Sequence, residues 1–121
     1  MFREPEKLKV FQLADEVAAG ALQAAGSTVL AGPLARAALR PPLAILEGCA
    51  AWKDEDFARH LAAARAGATE LRYLLGLGRR VGLLPETAAA LEDQAFRLVK
   101  GLQLLLKAQR EQSAKRRPKT A

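Results

Sequence analysis

The chain has 121 residues, a formal net charge of +6 and a hydrophobic content of 50%. That length suits one domain with a real core, and no run reaches the roughly 18 apolar residues of a transmembrane helix. Aromatic residues make up only 5%, Ile45 is the only isoleucine, and no alternating apolar run is longer than a few residues. The composition therefore predicts an all-α protein.

Two helices are predicted in the first half of the chain. The first runs from about Glu6 to Ala25 and stops at Gly26, because glycine is a common C-terminal cap. The second begins near Pro33 and continues through the pair Pro41-Pro42. Because an internal proline removes a backbone hydrogen bond and clashes with the preceding turn, we expect a kink within this one helix.

The second half predicts two further helices. Helix three begins at Asp54, a good N-cap, and continues to about Val81, while helix four begins at Pro85 and persists to about Gln112. Helix three has an apolar seam in steps of four and three: Phe57, Leu61, Ala64, Ala68, Leu71, Leu75 and Gly78. Where the seam is mostly Ala and Gly, we expect a neighbouring backbone to come close. Short connections then predict an up-down-up-down four-helix bundle over residues 1–112.

Residues 113–121 are predicted to form a disordered basic tail. It contains four basic residues and no acid: Lys115, Arg116, Arg117 and Lys119. Without these four of the 19 basic residues, 15 remain against 13 acidic ones, so the bundle itself is only mildly basic. Mobile cationic arms bind phosphate backbones through counterion release, so we expect the tail to contact nucleic acid. A tail that only aids solubility is the alternative.

A second basic feature lies on helix three. Arg65, Arg72 and Arg79 recur every seven residues, so they share one face, which we place on the outer side of the seam. We expect them to contact phosphates, and the alternative is an ordinary solvated face with ion pairs. The sequence shows no aromatic platform on which single-stranded bases would stack, so the predicted binding is electrostatic. The neighbouring arginines expected to widen the patch are Arg36, Arg40, Arg59 and Arg80.

Catalytic chemistry is not predicted. His60 is the only histidine, and Glu55 or Asp56 one turn earlier is the expected partner that would orient it. A partly buried structural histidine is the favoured interpretation. Cys49 is the only cysteine, so we expect a small buried residue, no intramolecular disulfide and a reducing compartment. We therefore predict a protein that is not an enzyme.

Metal and cofactor sites are not predicted either. Di-iron four-helix bundles need Glu-x-x-His pairs on facing helices, and no glutamate here precedes a histidine by three residues. Glu47 and Glu70 are the acids expected nearest the interior. We expect them to form structural salt bridges with Arg36 or Arg65.

Three motifs, taken in order, resemble a known family. The stretches are Leu8-x-Val10-Phe11-x-x-Ala14, then Arg36-Ala37-Ala38 with Pro42-x-x-Ile45-x-Glu47-Gly48, then Phe57-x-x-x-Leu61-x-x-Ala64-Arg65-x-Gly67-x-x-Glu70-Leu71. In these, the chain is similar to the small four-helix-bundle proteins encoded in intervening sequences of bacterial 23S ribosomal RNA genes. Their superfamily includes the accessory proteins of diversity-generating retroelements. Ala44 stands where the family usually has Asn, and the Gly-Ser pair of the family is shifted to Ala66-Gly67.

The resemblance implies a ring-shaped homopentamer of four-helix bundles with a positively charged surface. In the retroelement branch it also implies binding to nucleic acid and to a reverse transcriptase. The first functional hypothesis is thus an oligomeric basic scaffold that binds nucleic acid, RNA above all, as an accessory to a polymerase. The second is a protein–protein adaptor with no nucleic-acid role. The N-terminal residues lack the apolar core of a signal peptide, so we expect a cytoplasmic protein with no membrane partner.

Overall fold

The structure is a computed structural model and describes residues 3–116. A short 3-10 turn precedes four α-helices, and the described range contains no strand. The elements are the turn Pro5–Lys7, α1 Lys9–Ala25, α2 Ala31–Cys49, α3 Asp54–Arg80 and α4 Ala88–Arg116. The all-α prediction is confirmed. Of these helices, none combines the length and the apolar character needed to cross a membrane.

The four helices pack as a closed ring of antiparallel neighbours. Each of α1 and α3 packs against both α2 and α4. The direction follows from close approaches at glycines: a Cβ added at Gly20 of α1 would meet Leu91 of α4, and one added at Gly101 of α4 would meet Val10 of α1. Because the later α1 residue pairs with the earlier α4 residue, these helices run in opposite directions. The up-down-up-down bundle is therefore confirmed.

The helix ends depart slightly from the predicted ones. Leu8 is extended, with φ −85° and ψ 124°, so α1 begins after it and the residues around Pro5 form a separate turn. At the other prolines, α2 runs through both Pro41 and Pro42 as one helix, as predicted. Helix α4 begins at Ala88 rather than at Pro85. The carbonyl of Pro85 accepts a hydrogen bond from the N–H of Ala88 at 2.9 Å.

Helix α4 also continues to Arg116, four residues beyond the predicted end. Gln109 is buried and Ser113 is half-buried, so the inner face of the helix persists past the expected boundary. This extra length packs beside the start of α3, where Ala58 and Ala62 line a shared depression. The first part of the predicted tail is therefore helical, and residues 117–121 of that tail lie outside the described range.

The predicted seam of α3 is the centre of the core. All seven of its residues are buried, and all but Gly78 belong to one of two apolar clusters, one at each end of the bundle. The first cluster includes Leu71 and Leu75, and the second includes Phe57 and Leu61. Beside the small residues of the seam, Gly67 brings α3 close to Arg40 of α2. A Cβ added at Gly67 would lie 2.9–3.0 Å from three side-chain carbons of Arg40.

Candidate nucleic-acid interface

The spacing of seven residues puts the three arginines on one face of α3, and two of them, Arg72 and Arg79, contact α4 across the groove between the two helices. Arg72 is exposed, while Arg65 and Arg79 are half-buried. Arg72 lies over Phe96 of α4, and Arg79 is bonded to Glu92 of α4, so this face borders the neighbouring helix. The shared face is therefore as predicted, but it is not the outermost side of α3.

The positive charge of Arg79 is already paired with two carboxylates. Its Nε–H donates to Glu92 Oε2 at 2.6 Å, and its Nη1 lies 3.6 Å from Glu86 Oε2. The hydrogen bond to Glu92, together with the charge of that carboxylate, raises the pKa of the Arg79 guanidinium. A cation already held by two carboxylates gains little from a phosphate, so Arg79 acts as a clamp between α3 and α4.

Arg72 has a different environment. Its guanidinium carbon lies 4.1 Å from the ring centroid of Phe96, and the Nζ of Lys100 lies 4.6 Å from the same centroid. An aromatic ring attracts a cation without neutralising it. Among the described residues, neither Arg72 nor Lys100 forms an ion pair. Glu92, which is held by Arg79, and Asp93 line the same depression as Arg72 and Phe96, but neither pairs with Arg72.

The groove continues towards the other end of the bundle. Arg65 is half-buried and forms no ion pair within residues 3–116; its carbonyl accepts a hydrogen bond from Thr69 Oγ1 at 2.9 Å. Beyond it, Arg110 and Arg59 line a depression of about 560 Å³ between the start of α3 and the end of α4. Arg59 is held by Asp56 at 3.0 Å, whereas Arg110 has no ion-pair partner in the described part of the chain.

The remaining predicted basic residues are dispersed. Lys115 is exposed in the last turn of α4, and Arg116 ends that helix. Arg117 and Lys119 lie outside the described residues. Of the arginines expected to widen the patch, Arg40 is paired with Glu70 at 3.3 Å. Exposed Arg36 and Arg80 form no ion pair in the described chain, and Arg80 Nε donates to the carbonyl of Gly76 at 3.4 Å.

The sequence interpretation missed the contribution of α4 to this groove. Phe96, Lys100 and Arg110 were not among the predicted site residues. Their spacing carries a usable pattern, since steps of three and four place residues on one face of a helix. That face of α4 contains Phe96, Lys100, Gln103, Lys107 and Arg110.

The expected side-chain partners elsewhere were partly wrong. His60 Nδ1 lies 3.5 Å from Glu47 Oε2 on α2, so its acidic neighbour is neither Glu55 nor Asp56. The reason is that α2 packs directly against this face of α3: a Cβ added at Gly48 would lie 3.0 Å from the Cβ of His60. Likewise, Glu47 and Glu70 pair with His60 and Arg40, and not with Arg36 or Arg65 as predicted.

Cys49 is buried, as predicted. Burial raises the pKa of its thiol, and the nearby positive charge of Arg3 opposes this effect only in part. The thiolate is the nucleophilic form of cysteine, so the shift acts against reactivity at neutral pH. Within residues 3–116, no group of three or more His, Cys, Asp or Glu side chains is placed to hold a metal ion.

Comparison with known proteins finds no match to a family model and no match among curated proteins. The centre of the groove is Phe96, which holds Arg72 and Lys100 at one point between α3 and α4. Two unmatched cations beside a half-buried ring form a site suited to phosphate.

Proposed function

We propose that the protein is a non-enzymatic, oligomeric scaffold that binds nucleic acid electrostatically. The groove between α3 and α4 contacts the phosphate backbone, and the basic end of the chain adds further cations. The observation that carries this proposal is the placement of Arg72 and Lys100 over Phe96 with no carboxylate partner in the described chain. Arg110 lies in a depression between the same two helices towards the C-terminal end of α4, and the spacing of seven residues puts Arg65 on the face of α3 that carries Arg72.

The resemblance noted above supports RNA as the nucleic acid and a reverse transcriptase as a polymerase partner. The lone, buried Cys49 supports action in a reducing compartment, and we place the protein in the cytoplasm. Electrostatic binding needs no base recognition, so the expected affinity is salt-sensitive and varies little with sequence.

We further propose that the scaffold is a homo-oligomer, and specifically a pentamer. The pentamer rests on the family resemblance. Support for association comes from α2, where Leu39, Leu43 and Leu46 are 42%, 51% and 40% exposed and follow one another at helical spacing. A contiguous apolar face of this kind is typical of a protein–protein contact. Three further leucines lie outside this face: Leu83 is exposed, Leu30 is half-buried and Leu84 is buried.

The same apolar face supports the second candidate function. If α2 contacts a different protein instead of another copy, the chain is an adaptor and its charge serves only solubility. The two candidates differ in what they require of the groove: only the scaffold needs Arg72 and Lys100.

The test is a fluorescence anisotropy titration with RNA and with duplex DNA at two salt concentrations. It compares the intact protein with the double variant Arg72→Gln/Lys100→Gln. The matched control, Lys9→Gln/Lys53→Gln, removes two exposed lysines that line none of the depressions between α3 and α4. We expect the groove variant to lose affinity and to lower the salt slope by about 0.7–0.9 per charge removed, while the control changes little. Equal losses in both variants, or no binding by the intact protein at low salt, would favour the adaptor.

A further inference from the structure

Tyr73 is the only tyrosine of the chain, and it is 61% exposed on α3. It lies between two depressions of similar size, about 350 and 340 Å³. Both volumes fall at the lower end of the range of small-molecule sites, roughly 300–1,000 Å³. Tyr73 and Thr69 line both depressions, so space is open on two sides of the ring.

The first depression is cationic. It is lined by Thr69, Arg72, Tyr73, Gly76, Leu77, Arg80 and Glu92. Phe96 holds the Arg72 guanidinium from behind, and the carbonyl of Gly76 accepts a hydrogen bond from Arg80. The carboxylate of Glu92 is bonded to Arg79 and so does not neutralise the two arginines. Two guanidinium groups without ion pairs among the described residues therefore lie in one depression with an exposed aromatic ring.

The spacing along α3 explains why these groups meet. Thr69, Gly76 and Arg80 lie four residues before, three after and seven after Tyr73, so all share its face of the helix. Gly76 has a further role, because a Cβ added there would come within 2.7 Å of Glu92 Oε1. The missing side chain lets Glu92 reach the floor of the depression, where Arg79 holds it.

The second depression is apolar in character. Thr69, Glu70, Tyr73 and Leu74 line it, and the Glu70 carboxylate is drawn towards Arg40 on α2. An exposed aromatic ring beside a cationic depression matches the chemistry of a nucleotide, since a base stacks on the ring while the phosphate binds guanidinium groups.

We propose that Tyr73 and the depression containing Arg72 and Arg80 form a subsite for one unpaired nucleotide of a single strand. The base stacks on Tyr73, and its phosphate contacts Arg72 and Arg80. This inference rests on the proposed function and adds selectivity to it. A duplex keeps its bases stacked inside the helix, so only a single-stranded segment can supply a base to Tyr73.

The test uses full-length protein and three labelled oligonucleotides of equal length: a single strand, the matching duplex and an abasic single strand. Tyr73→Ala removes the stacking surface from an exposed position, so the fold is retained. Stacking on one aromatic ring is worth about 1–3 kcal/mol, which converts to a roughly five- to 150-fold loss of affinity. We expect Tyr73→Ala to lose at least about fivefold on the single strand and to leave the duplex and the abasic strand unchanged. Tyr73→Phe should retain the affinity of the parent.

A control substitution removes an exposed apolar side chain elsewhere. Leu104→Ala on α4 should bind all three probes as the parent does, because Leu104 is exposed and lines neither depression. A direct readout is the emission of Tyr73 in a Trp52→Phe background, since Trp52 is the only tryptophan. The single strand should quench that emission, and the abasic strand should not.

The outcomes separate this subsite from the proposed function. If the parent binds nucleic acid but Tyr73→Ala affects single strand and duplex equally, or neither, the subsite is wrong and electrostatic binding stands. If the parent binds none of the three oligonucleotides at low salt, the subsite and the proposed function are both overturned.

Discussion

The side chain of Arg40 on α2 crosses directly over Gly67 on α3. Added at Gly67, a Cβ would lie 2.9 Å from the Cβ of Arg40 and 3.0 Å from its Cγ and Cδ. Beyond this crossing, Arg40 Nη1 reaches Glu70 Oε1 at 3.3 Å. Because Gly67 has no side chain, Arg40 of α2 can pass over it and reach the Glu70 carboxylate, one turn further along α3.

Replacing Gly67 by leucine should overpack this crossing. The clash is with the root of the Arg40 side chain, which cannot swing aside as its far end could. Overpacking a tight contact costs about 1–3 kcal/mol, which exceeds the gain in helix propensity from removing a glycine. Urea unfolding of Gly67→Leu should show that loss, while Ala66→Leu, at an exposed neighbouring position, should stay near the parent. Equal losses at the two positions would contradict the assigned contact.

Leu71 should tolerate replacement by a charged residue far less well than any surface position. It is 1% exposed and belongs to the core cluster shared by the helices. Leu71→Asp buries a charge without a partner, which costs several kcal/mol against a total stability of about 5–15 kcal/mol. We expect circular dichroism to show loss of the cooperative thermal transition. A melting temperature equal to that of the parent would refute the seam of α3.

The periodicity of the sequence was sufficient to predict the helix bundle but not to predict which side chains pair within it. The burial of the seven seam residues of α3 follows from spacing alone, because a helix with one apolar stripe must bury that stripe. The end of α4 was placed four residues too early, because half-buried Ser113 lies beside the start of α3, a tertiary contact that no local pattern specifies. Likewise, Arg79 meets Glu92 only because of the register between α3 and α4, which no local pattern specifies.

The residues of the groove were likewise only partly predictable from the sequence. Steps of seven put Arg65, Arg72 and Arg79 on one face, yet the sequence could not show that Arg79 is neutralised by carboxylates. Phe96 was not among the predicted site residues, and Tyr73 was not considered as a stacking surface. Both roles depend on which side of a helix its neighbours leave open.

Removing the Arg79–Glu92 pair as a unit should not weaken nucleic-acid binding. Arg79→Gln/Glu92→Gln leaves the net charge unchanged and deletes a cation that is already matched. We expect RNA affinity within about twofold of the parent and an unchanged salt slope. By contrast, Arg72→Gln should lower the slope by about 0.7–0.9, because its charge has no ion-pair partner among residues 3–116. A larger effect of the pair than of Arg72 would reverse their assigned roles.

The exposed leucines of α2 should control self-association. Leu43 is 51% exposed, so Leu43→Glu should fold normally, yet it places a charge in the centre of the apolar face. Light scattering at micromolar concentration should give an oligomeric mass for the parent and a monomeric mass for this variant. Leu104→Glu is the matched control, since Leu104 is an exposed leucine of α4 outside that face. A monomeric parent would end the oligomer proposal.

The basic end of the chain should contribute a large share of the salt-dependent affinity. It holds four basic residues and no acid: Lys115, Arg116, Arg117 and Lys119. Since α4 continues to Arg116, truncation at Gln112 would also remove helix, so we favour changing the four residues to glutamine in the intact chain. If each neutralises one phosphate, the salt slope should fall by about 2.8–3.6.

In an oligomer the loss should be greater than in a monomer, because several basic ends act on one nucleic acid and raise avidity without new contacts. The measurement is therefore made on two backgrounds, the parent and Leu43→Glu, with Lys9→Gln/Lys53→Gln as the control for general loss of charge. We expect the four-residue variant to lose more affinity in the parent than in the Leu43→Glu background. If the affinities of the four-residue variant and its background are indistinguishable in both cases, the basic end has no role in binding and the groove between α3 and α4 carries it alone.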